Sequence, residues 1–271
     1  MTRGAIELYM RLYPIKTGFI HVGDNVIDVA LRALSRQNLS LEDCDVLVFA
    51  SKIVASMQCR IVKLDVKPSR KALELAEKFS IKGEIAELIL READAVYGGV
   101  ERAVLTLKNH VLTVNAGIDN KNVPLNHAAL WPENIKETTR QLRQEIFQKT
   151  GKNVAVMIVD SGLMPLRRGT VGLALAVAGF KPIVDFRGQK DLYGKEIIIT
   201  QHAVAQDLAS AAHLLMGEST EETPIVLVRG APVEFDGGVY GPEDLALPPN
   251  ECVFMKAFQH SFKCLGKTGG I

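Results

Sequence analysis

Residues 154–162 read VAVMIVDSG, an apolar run that closes on a carboxylate and a hydroxyl, Asp160 and Ser161. The run has the length and composition of a buried strand. A polar loop, LMPLRRGT (163–170), separates it from the Gly-rich apolar segment VGLALAVAGF (171–180). Structural signals are therefore densest in the second half of the chain, and a pair of polar side chains stands where its clearest strand ends.

Helices and hairpins alternate around this stretch without a regular repeat. We predict helices after Asp24, from Ser69 to Phe79, and at 83–99, 133–149 and 202–217. We predict strands at 5–12, 45–51, 59–64, 195–200 and 224–230, and a hairpin over 100–117 that turns at Lys108-Asn109. This mixture favours an α+β fold with mixed sheets and packed helices over a regular βαβ array. We expect residues 1–231 to form the main domain, with room for two subdomains, and the Pro/Gly-rich residues 232–271 to be peripheral.

Composition excludes several classes of protein. The chain has 271 residues, 47% of them hydrophobic and 23% charged, and a formal net charge of +1, which argues against a broad nucleic-acid footprint. Cys44, Cys59, Cys252 and Cys264 form no C-x-x-C pair, so neither a zinc knuckle nor a disulfide framework is indicated. No apolar run approaches about 20 residues, and the N-terminus lacks the apolar core of a signal peptide. We expect a cytoplasmic protein without nucleic-acid or membrane partners.

Three acidic residues follow apolar runs at widely separated places. Asp119 lies in VLTVNAGIDNKN (111–122), Asp160 ends its strand, and Glu218 follows the helical run that ends in LLMG. Buried elements end at the surface, so carboxylates at three such ends can converge on one site. Mg²⁺ and Mn²⁺ are held by a few carboxylates together with substrate phosphate oxygens. The pattern predicts a metal-dependent nucleotide enzyme. Each acidic residue also fits an ordinary turn or surface position, so the prediction rests on the three together.

Basic residues supply the complementary charge for phosphate chemistry. Arg167 and Arg168 follow Asp160 closely and could reach phosphates held by its metal. Lys190 lies in a Gly-bounded loop, RGQKDLYGKE, which also fits a solvated charged loop. We predict these three as catalytic residues.

Other motifs are weaker. The loop TGFIHVG (17–23) can present backbone N–H groups to a base or phosphate, but the Walker spacing is absent. His202 and His213 are predicted to share a helix and to serve in packing or capping. No Ser–His–Asp or Cys–His order indicates covalent catalysis.

Taken together, IKTGFIHVGD, NAGIDNKN, the strand ending in Asp160-Ser161, LRRGTVG, KDLYGKE and HLLMGE resemble the coenzyme F-420:L-glutamate ligase family. The resemblance runs from about residue 12 to residue 230. It implies an acid–amino-acid ligase with a γ-glutamyl ligase-like catalytic domain over residues 1–231, forming intertwined homodimers. It also implies GTP as co-substrate and two Mg²⁺ or Mn²⁺ ions, with K⁺ as a further candidate cation.

The resemblance also assigns residues. It implies that Asp119 and Asp160 bind one metal and that Ser161 and Glu218 bind a second. The residues that it places on nucleotide-binding segments are Thr17, Gly18, Phe19, Ile20, Ser51, Lys52, Asn122, Met216, Gly217, Ser219, Thr220, Glu221, Glu222 and Thr223.

The chain departs from the family pattern at two places, one in a segment near the nucleotide and one near the expected acceptor site. Many relatives carry Lys, Glu and Gly where this chain has Ser56, Gln58 and Cys59, so the choice of nucleotide is open. The usual Gly-Arg after the second metal aspartate is Leu163-Met164 here, which removes a cation from the region where an anionic acceptor would bind.

The expected reaction joins the amino group of L-glutamate to the carboxylate of a coenzyme F-420 precursor through an acyl phosphate. Folate or another pterin-like acceptor is the alternative that the departures leave open. A second alternative is a nucleotide-binding homologue without turnover, against which the intact metal positions weigh.

Overall fold

The computed structural model describes residues 9–257, which form a mixed α/β body. Its strands are β1 (Arg11–Ile15), β2 (Val46–Ala50), β3 (Ile61–Lys63), β4 (Ala95–Val100), β5 (Ala103–Lys108), β6 (Val111–Val114), β7 (His127–Ala129), β8 (Ala155–Leu163), β9 (Thr170–Phe180), β10 (Val184–Asp185), β11 (Gln201–His202), β12 (Ile225–Arg229) and β13 (Phe235–Tyr240). Its helices are α1 (Val26–Arg36), α2 (Ser51–Met57), α3 (Arg70–Phe79), α4 (Gly83–Glu92), α5 (Ile135–Thr150), α6 (Val204–Met216) and α7 (Pro242–Leu245). The α+β prediction is confirmed.

The central sheet has six strands in the order β1-β12-β2-β8-β9-β13. Neighbouring strands are antiparallel except β2 and β8, which are parallel. The register between β8 and β9 shifts between Ile158 and Val159, just before the polar end of β8. Such an irregularity bends a strand and re-aims the side chains beyond it.

Both faces of this sheet are buried. Leu47 and Phe49 of β2 pack into a core formed with α1, α2 and α5. Val46 and Val48, which point the other way, pack against α6. A strand that is buried on both faces is apolar throughout rather than alternating, which explains the continuous apolar runs of β2, β8 and β12.

A smaller unit is built from α3, α4 and the antiparallel sheet β4-β5-β6. Its core includes Phe79, Ile89 and Val104, and extends to Ile118 and Leu130 in the segments after β6 and β7. The unit matters for the site because the chain that leaves β6 carries the first predicted metal residue, Asp119.

A third feature is an arm over residues 181–203 between β9 and α6. The two-residue strands β10 and β11 pair at its base, and Lys190 and Glu196 form an isolated bridge farther out. Leu192, Tyr193 and Ile199 of the arm are each more than four-fifths exposed.

Several local predictions were wrong. The helix predicted over 83–99 ends at Glu92 and gives way to β4. Residues 51–57, read as the end of one strand and a link to the next, form α2. The strand predicted at 195–200 is an exposed part of the arm with a single bridge. The strand predicted at 5–12 begins at Arg11, and residues 5–8 of that prediction lie outside the described residues.

The segment beyond residue 232, predicted to be peripheral, contributes β13, an edge strand of the central sheet that pairs with β9. Cys264 and the rest of residues 258–271 lie outside the described part of the chain. Within residues 9–257, no helix is long and apolar enough to cross a membrane.

Candidate active site

Asp160 stands where β8 leaves the core. One of its carboxylate oxygens accepts a hydrogen bond from the Ser161 backbone N–H at 2.9 Å, and the other accepts the Trp131 indole N–H. Burial raises the pKa of Asp160 to about 6, and the neighbouring charge of Asp119 adds to that effect, although both hydrogen bonds oppose it. A carboxylate held in such surroundings gains from a nearby cation.

Asp119 is presented by a tight 3₁₀ turn after β6. Asn115, Ala116 and Gly117 all have left-handed φ values between 52° and 72°, and the chain then pairs with β7 through reciprocal backbone bonds between Asp119 and Ala129. The Asp119 carboxylate contacts the Lys52 ammonium at 2.7 Å.

Glu218 follows α6, which ends at Gly217 with φ +72°. Its carboxylate accepts hydrogen bonds from Thr170 at 2.5 Å, His213 at 2.9 Å and Lys121 at 3.0 Å. Burial opposes its ionisation, but these three hydrogen bonds outweigh burial and hold the pKa of Glu218 at about 2. The side chain is therefore a fixed, ionised oxygen donor.

Lys121 joins the three carboxylates into one site. Its hydrogen bond to Glu218 is the main cause of its raised pKa, and the charges of Asp119 and Asp160 raise that pKa further. Of the three acidic residues, Glu218 contacts this ammonium group directly at 3.0 Å, and Asp119 and Asp160 act on it through their charges.

The donors here, carboxylates with the Ser161 and Thr170 hydroxyls beside them, are of the kind that Mg²⁺ and Mn²⁺ prefer. Burial is the main cause of the raised pKa of Asp160, and the charge of Asp119 adds to it, so the set fits a divalent cation chemically. Within residues 9–257, however, no three His, Cys, Asp or Glu side chains lie close enough to coordinate one ion in this arrangement. Lys52 and Lys121 instead supply the positive charge.

The predicted nucleotide-binding segments also meet. The Thr17 N–H donates to the carbonyl of Glu222 at 3.0 Å, which joins the loop after β1 to the loop after α6. Asn122 donates to the carbonyl of Ser219 at 2.6 Å. The Lys52 ammonium, in the first turn of α2, donates to the Lys121 carbonyl at 2.7 Å. The predicted residues therefore lie on three loop segments and the first turn of α2, beside the carboxylates.

Gly217 lies between α6 and the 218–223 loop, at a position that disfavours a side chain. A Cβ at this position would lie 2.2 Å from the carboxyl carbon of Glu221. Its left-handed φ also favours glycine. The residue turns the chain from the end of α6 directly into the 218–223 loop.

Of the three basic residues predicted to be catalytic, two lie in the loop beside the site and one lies in the arm. Arg167 and Arg168 lie in the exposed loop between β8 and β9 and form no salt bridge with a described residue. That loop leads into Thr170, which contacts Glu218, so both arginines are tethered beside the site. Lys190 lies in the arm, and none of its recorded contacts within residues 9–257 joins it to the three carboxylates.

Four residues that contact the carboxylates were not predicted: Lys121, Trp131, Thr170 and His213. Lys121 was visible inside the NAGIDNKN motif, where a lysine two residues after an aspartate is an available partner. His213 was interpreted as a packing or capping group, although it contacts Glu218. Nor do the two histidines share a helix, because His202 lies in β11.

The family comparison agrees with this geometry. A model described as F420-0:Gamma-glutamyl ligase matches residues 14–230, the span that holds every predicted site residue. The chain belongs to this family. The resemblance inferred from the motifs, and with it the prediction of an amide-bond-forming ligase, is confirmed.

Individual members of this γ-glutamyl ligase family are similar over most of their length. A protein named Coenzyme F420:L-glutamate ligase from Methanocaldococcus jannaschii is 36% identical over 216 residues, which cover 79% of this chain and 86% of the relative. Proteins of the same name from Methanothermobacter thermautotrophicus and Methanosarcina mazei are 35% identical over 225 residues and 33% identical over 239 residues. These alignments cover 81% and 85% of this chain, and 89% and 91% of the two relatives.

Proposed function

We propose that this chain is a GTP-dependent ligase that forms an amide bond between L-glutamate and the carboxylate of a coenzyme F-420 precursor. One observation carries the proposal: Asp119 pairs with Lys52, Glu218 pairs with Lys121, and the predicted nucleotide-binding segments contact one another beside these pairs. The names of the relatives, which specify glutamate and the deazaflavin coenzyme, support the acceptor.

The proposed reaction has two steps that need no protein nucleophile. The acceptor carboxylate attacks the γ-phosphorus of GTP, so that an acyl phosphate forms and GDP leaves. The glutamate amino group then attacks the acyl carbon, inorganic phosphate leaves, and the nitrogen loses a proton. Activation is required because a carboxylate is a poor electrophile. Both steps develop negative charge on phosphate oxygens, which positioned cations stabilise.

Asp119, Asp160, Ser161 and Glu218 are the residues that would hold Mg²⁺ or Mn²⁺. When bound, two such ions stabilise the attacking and leaving oxygens of phosphoryl transfer. Lys52 and Lys121, which now neutralise the carboxylates, then become free to contact phosphate oxygens. Arg167 and Arg168 extend this positive charge from the β8–β9 loop, and Lys190 would contribute from the arm.

We also propose a homodimer. Leu192, Tyr193, Ile198 and Ile199 are exposed apolar side chains of the arm. Leu105 and Leu112 expose the outer face of the β4-β5-β6 sheet. Exposed apolar surface of this extent marks an interaction site, and a second copy of the chain is the partner implied by the family resemblance.

A pterin-like acceptor such as folate is the second candidate. Met164 is half exposed in the β8–β9 loop where many relatives carry Arg, so the chain lacks one cation for the phosphodiester of the F-420 precursor. A nucleotide-binding protein without turnover is a third reading, and the retained carboxylate cluster argues against it.

Incubation of the purified protein with GTP, Mn²⁺ and L-glutamate tests these candidates. The F-420 precursor or folate is supplied as the acceptor, and products are measured by mass spectrometry. We expect the F-420 precursor to gain the mass of one or more glutamyl residues together with GDP release. Modification of folate alone would favour the second candidate, and binding of GTP without any product would favour the third.

A further inference from the structure

Trp131 lies between the two aspartates that are assigned to metal. Its side chain is buried, and its indole N–H donates directly to the Asp160 carboxylate. Its ring packs against the backbone of Gly117, where an added Cβ would lie 2.2 Å from ring atoms. Gly117 is two residues before Asp119, and Ala129, which pairs with Asp119, is two residues before Trp131. The indole therefore contacts one aspartate directly and the turn that presents the other.

A buried ionic network holds the indole in place. The Lys108 ammonium lies 5.9 Å from the centre of the Trp131 ring. Lys108 pairs with Glu92, and Glu92 also accepts a hydrogen bond from Arg60 at 2.8 Å. Arg60 in turn donates to the Trp131 carbonyl at 2.8 Å. A cation over an indole face is attracted to the ring, so the ring and its backbone each have a further contact besides the bond to Asp160.

We propose that Trp131 is a positioning residue that sets the orientation of Asp160 and its placement relative to Asp119. This inference rests on the proposed function, which makes both aspartates metal ligands. Groups that hydrogen-bond to a metal ligand orient it, and their loss typically costs about 10- to 100-fold in metal affinity or activity.

Trp131 is the single tryptophan of the chain, so the tryptophan fluorescence of the protein comes from this indole alone. Titration of the wild-type protein with Mg²⁺, which is diamagnetic, should produce a saturable change in tryptophan emission. The change should be absent in Asp160→Asn. A wild-type protein that binds Mg²⁺ by calorimetry without any change in emission would contradict the proposal.

The indole N–H can be removed without changing the shape of the side chain. Growth of a tryptophan auxotroph on β-(3-benzothienyl)alanine replaces this one residue by an analogue that carries sulfur in place of N–H. We expect the affinity for Mn²⁺, measured by electron paramagnetic resonance of the free ion, to fall by about 10- to 100-fold. Saturating Mn²⁺ should restore part of the activity, and the melting temperature should stay near the wild-type value.

Trp131→Phe provides a genetic version of the same test, with Leu130→Ala as its control. Leu130 is buried beside Trp131 in sequence and packs in the small core, so its truncation should lower stability while leaving Mn²⁺ affinity unchanged. Equal loss of Mn²⁺ affinity in both variants, or unchanged affinity in the analogue protein, would overturn the positioning role.

The same variants distinguish a wrong metal assignment from a wrong role for Trp131. If Asp160→Asn binds Mn²⁺ as tightly as the wild type, the metal assignment itself is wrong. If Asp160→Asn loses Mn²⁺ binding while the analogue protein keeps it, the metal assignment stands and only the role of Trp131 is refuted.

Discussion

Lys121 shows how single residues of the site depend on one another. Its ammonium is bound to Glu218 and lies in the field of Asp119 and Asp160, and its pKa is raised in consequence. It remains charged throughout the physiological range and offsets part of the repulsion among the carboxylates. The site is thus preformed, with fixed oxygen donors and neighbouring lysines available for phosphate.

Removal of one carboxylate should abolish the chemistry without unfolding the protein. We expect Asp160→Ala to lose turnover and to weaken Mn²⁺-dependent binding of GDP. The fold should remain, because the side chain lies where β8 leaves the apolar core rather than within it. Isothermal titration of GDP in the presence of Mn²⁺ measures the effect. Asp65→Ala, which changes an exposed aspartate paired only with Lys63, is the matched control. Wild-type affinity and rate in Asp160→Ala would remove Asp160 from the site.

A substitution at Met164 can distinguish the F-420 precursor from folate as the acceptor. The F-420 precursor carries a phosphodiester near the carboxylate that is activated, whereas folate carries only carboxylates. One hydrogen bond to a charged group contributes roughly 1.5–3 kcal/mol, or about 10- to 100-fold in affinity. We expect Met164→Arg to tighten binding of the F-420 precursor at least several-fold in equilibrium titrations, with little effect on GTP.

Leu166→Arg serves as the control for Met164→Arg, because it adds the same charge at a fully exposed position of the same loop. An equal gain in both variants would mean that the effect is nonspecific. No gain in Met164→Arg would place Met164 away from the acceptor, and the folate-like candidate would lose its main support.

Cys59 occupies a position that favours glycine. The Arg60 N–H bonds to the Ala55 carbonyl and the Cys59 N–H to the Ser56 carbonyl, the pattern that closes a helix with a left-handed residue, and Cys59 has φ +56°. The left-handed conformation costs about 1–2 kcal/mol for a residue with a Cβ, and glycine loses part of this gain through its greater chain entropy. We expect Cys59→Gly to raise the free energy of unfolding by about 1 kcal/mol in urea titrations. Cys59→Ala, which keeps the Cβ, should leave it unchanged.

At the scale of elements, Glu87 joins two helices of the small unit. Its carboxylate in α4 accepts the Ser69 N–H at the start of α3 at 2.9 Å and the Arg91 side chain at 2.9 Å. The Ser69 hydrogen bonds are the main cause that lowers the pKa of Glu87 to about 2, from an ordinary value of 4.5. A carboxylate whose pKa is depressed in the folded state stabilises that state above its unfolded pKa.

Because the pKa of Glu87 is depressed in the folded state, the contribution of this residue to stability should depend on pH. Glu87→Gln should be less stable than the wild type near neutral pH, and the difference should shrink as the pH falls from 4.5 toward 2, where Glu87 itself becomes protonated. Thermal unfolding of both proteins across this range measures it. Glu84→Gln, at the solvated start of the same helix, is the control. A difference that is constant with pH would exclude the ionised hydrogen bond as its cause.

At the scale of the whole molecule, we predict a homodimer. Light scattering at micromolar concentration should give twice the chain mass of 29.6 kDa, because the apolar arm is otherwise left in water. Leu192→Asp should shift the protein toward the monomer, whereas Leu125→Asp, at an equally exposed site outside the arm, should not. A wild-type protein with the mass of one chain would contradict the prediction.

Many of the strands and helices could be predicted from the spacing of apolar residues in the sequence. Apolar runs such as VAVMIVDSG predicted central strands, and helical spacing predicted α1, α3, α5 and α6. The prediction failed at α2, because SKIVASM forms a helix of only seven residues, too short for helical periodicity to be recognised. It also failed at β4, since ADAVYGG follows an amphipathic helix without a glycine or proline stop, and in the arm, where an apolar run lies exposed.

The sequence by itself determined which chemistry is present: acidic residues at the ends of buried elements, and motifs sufficient to recognise the ligase family. Tertiary structure decided which of these residues meet. Lys121, Trp131 and Thr170 join the site because a turn, a short strand and a hairpin loop bring them together. Lys190 belongs to the exposed arm, where its isolated bridge is to Glu196. Residues distant in sequence become neighbours only through strand pairing, and local patterns carry no information about such pairing beyond the faces that must be buried.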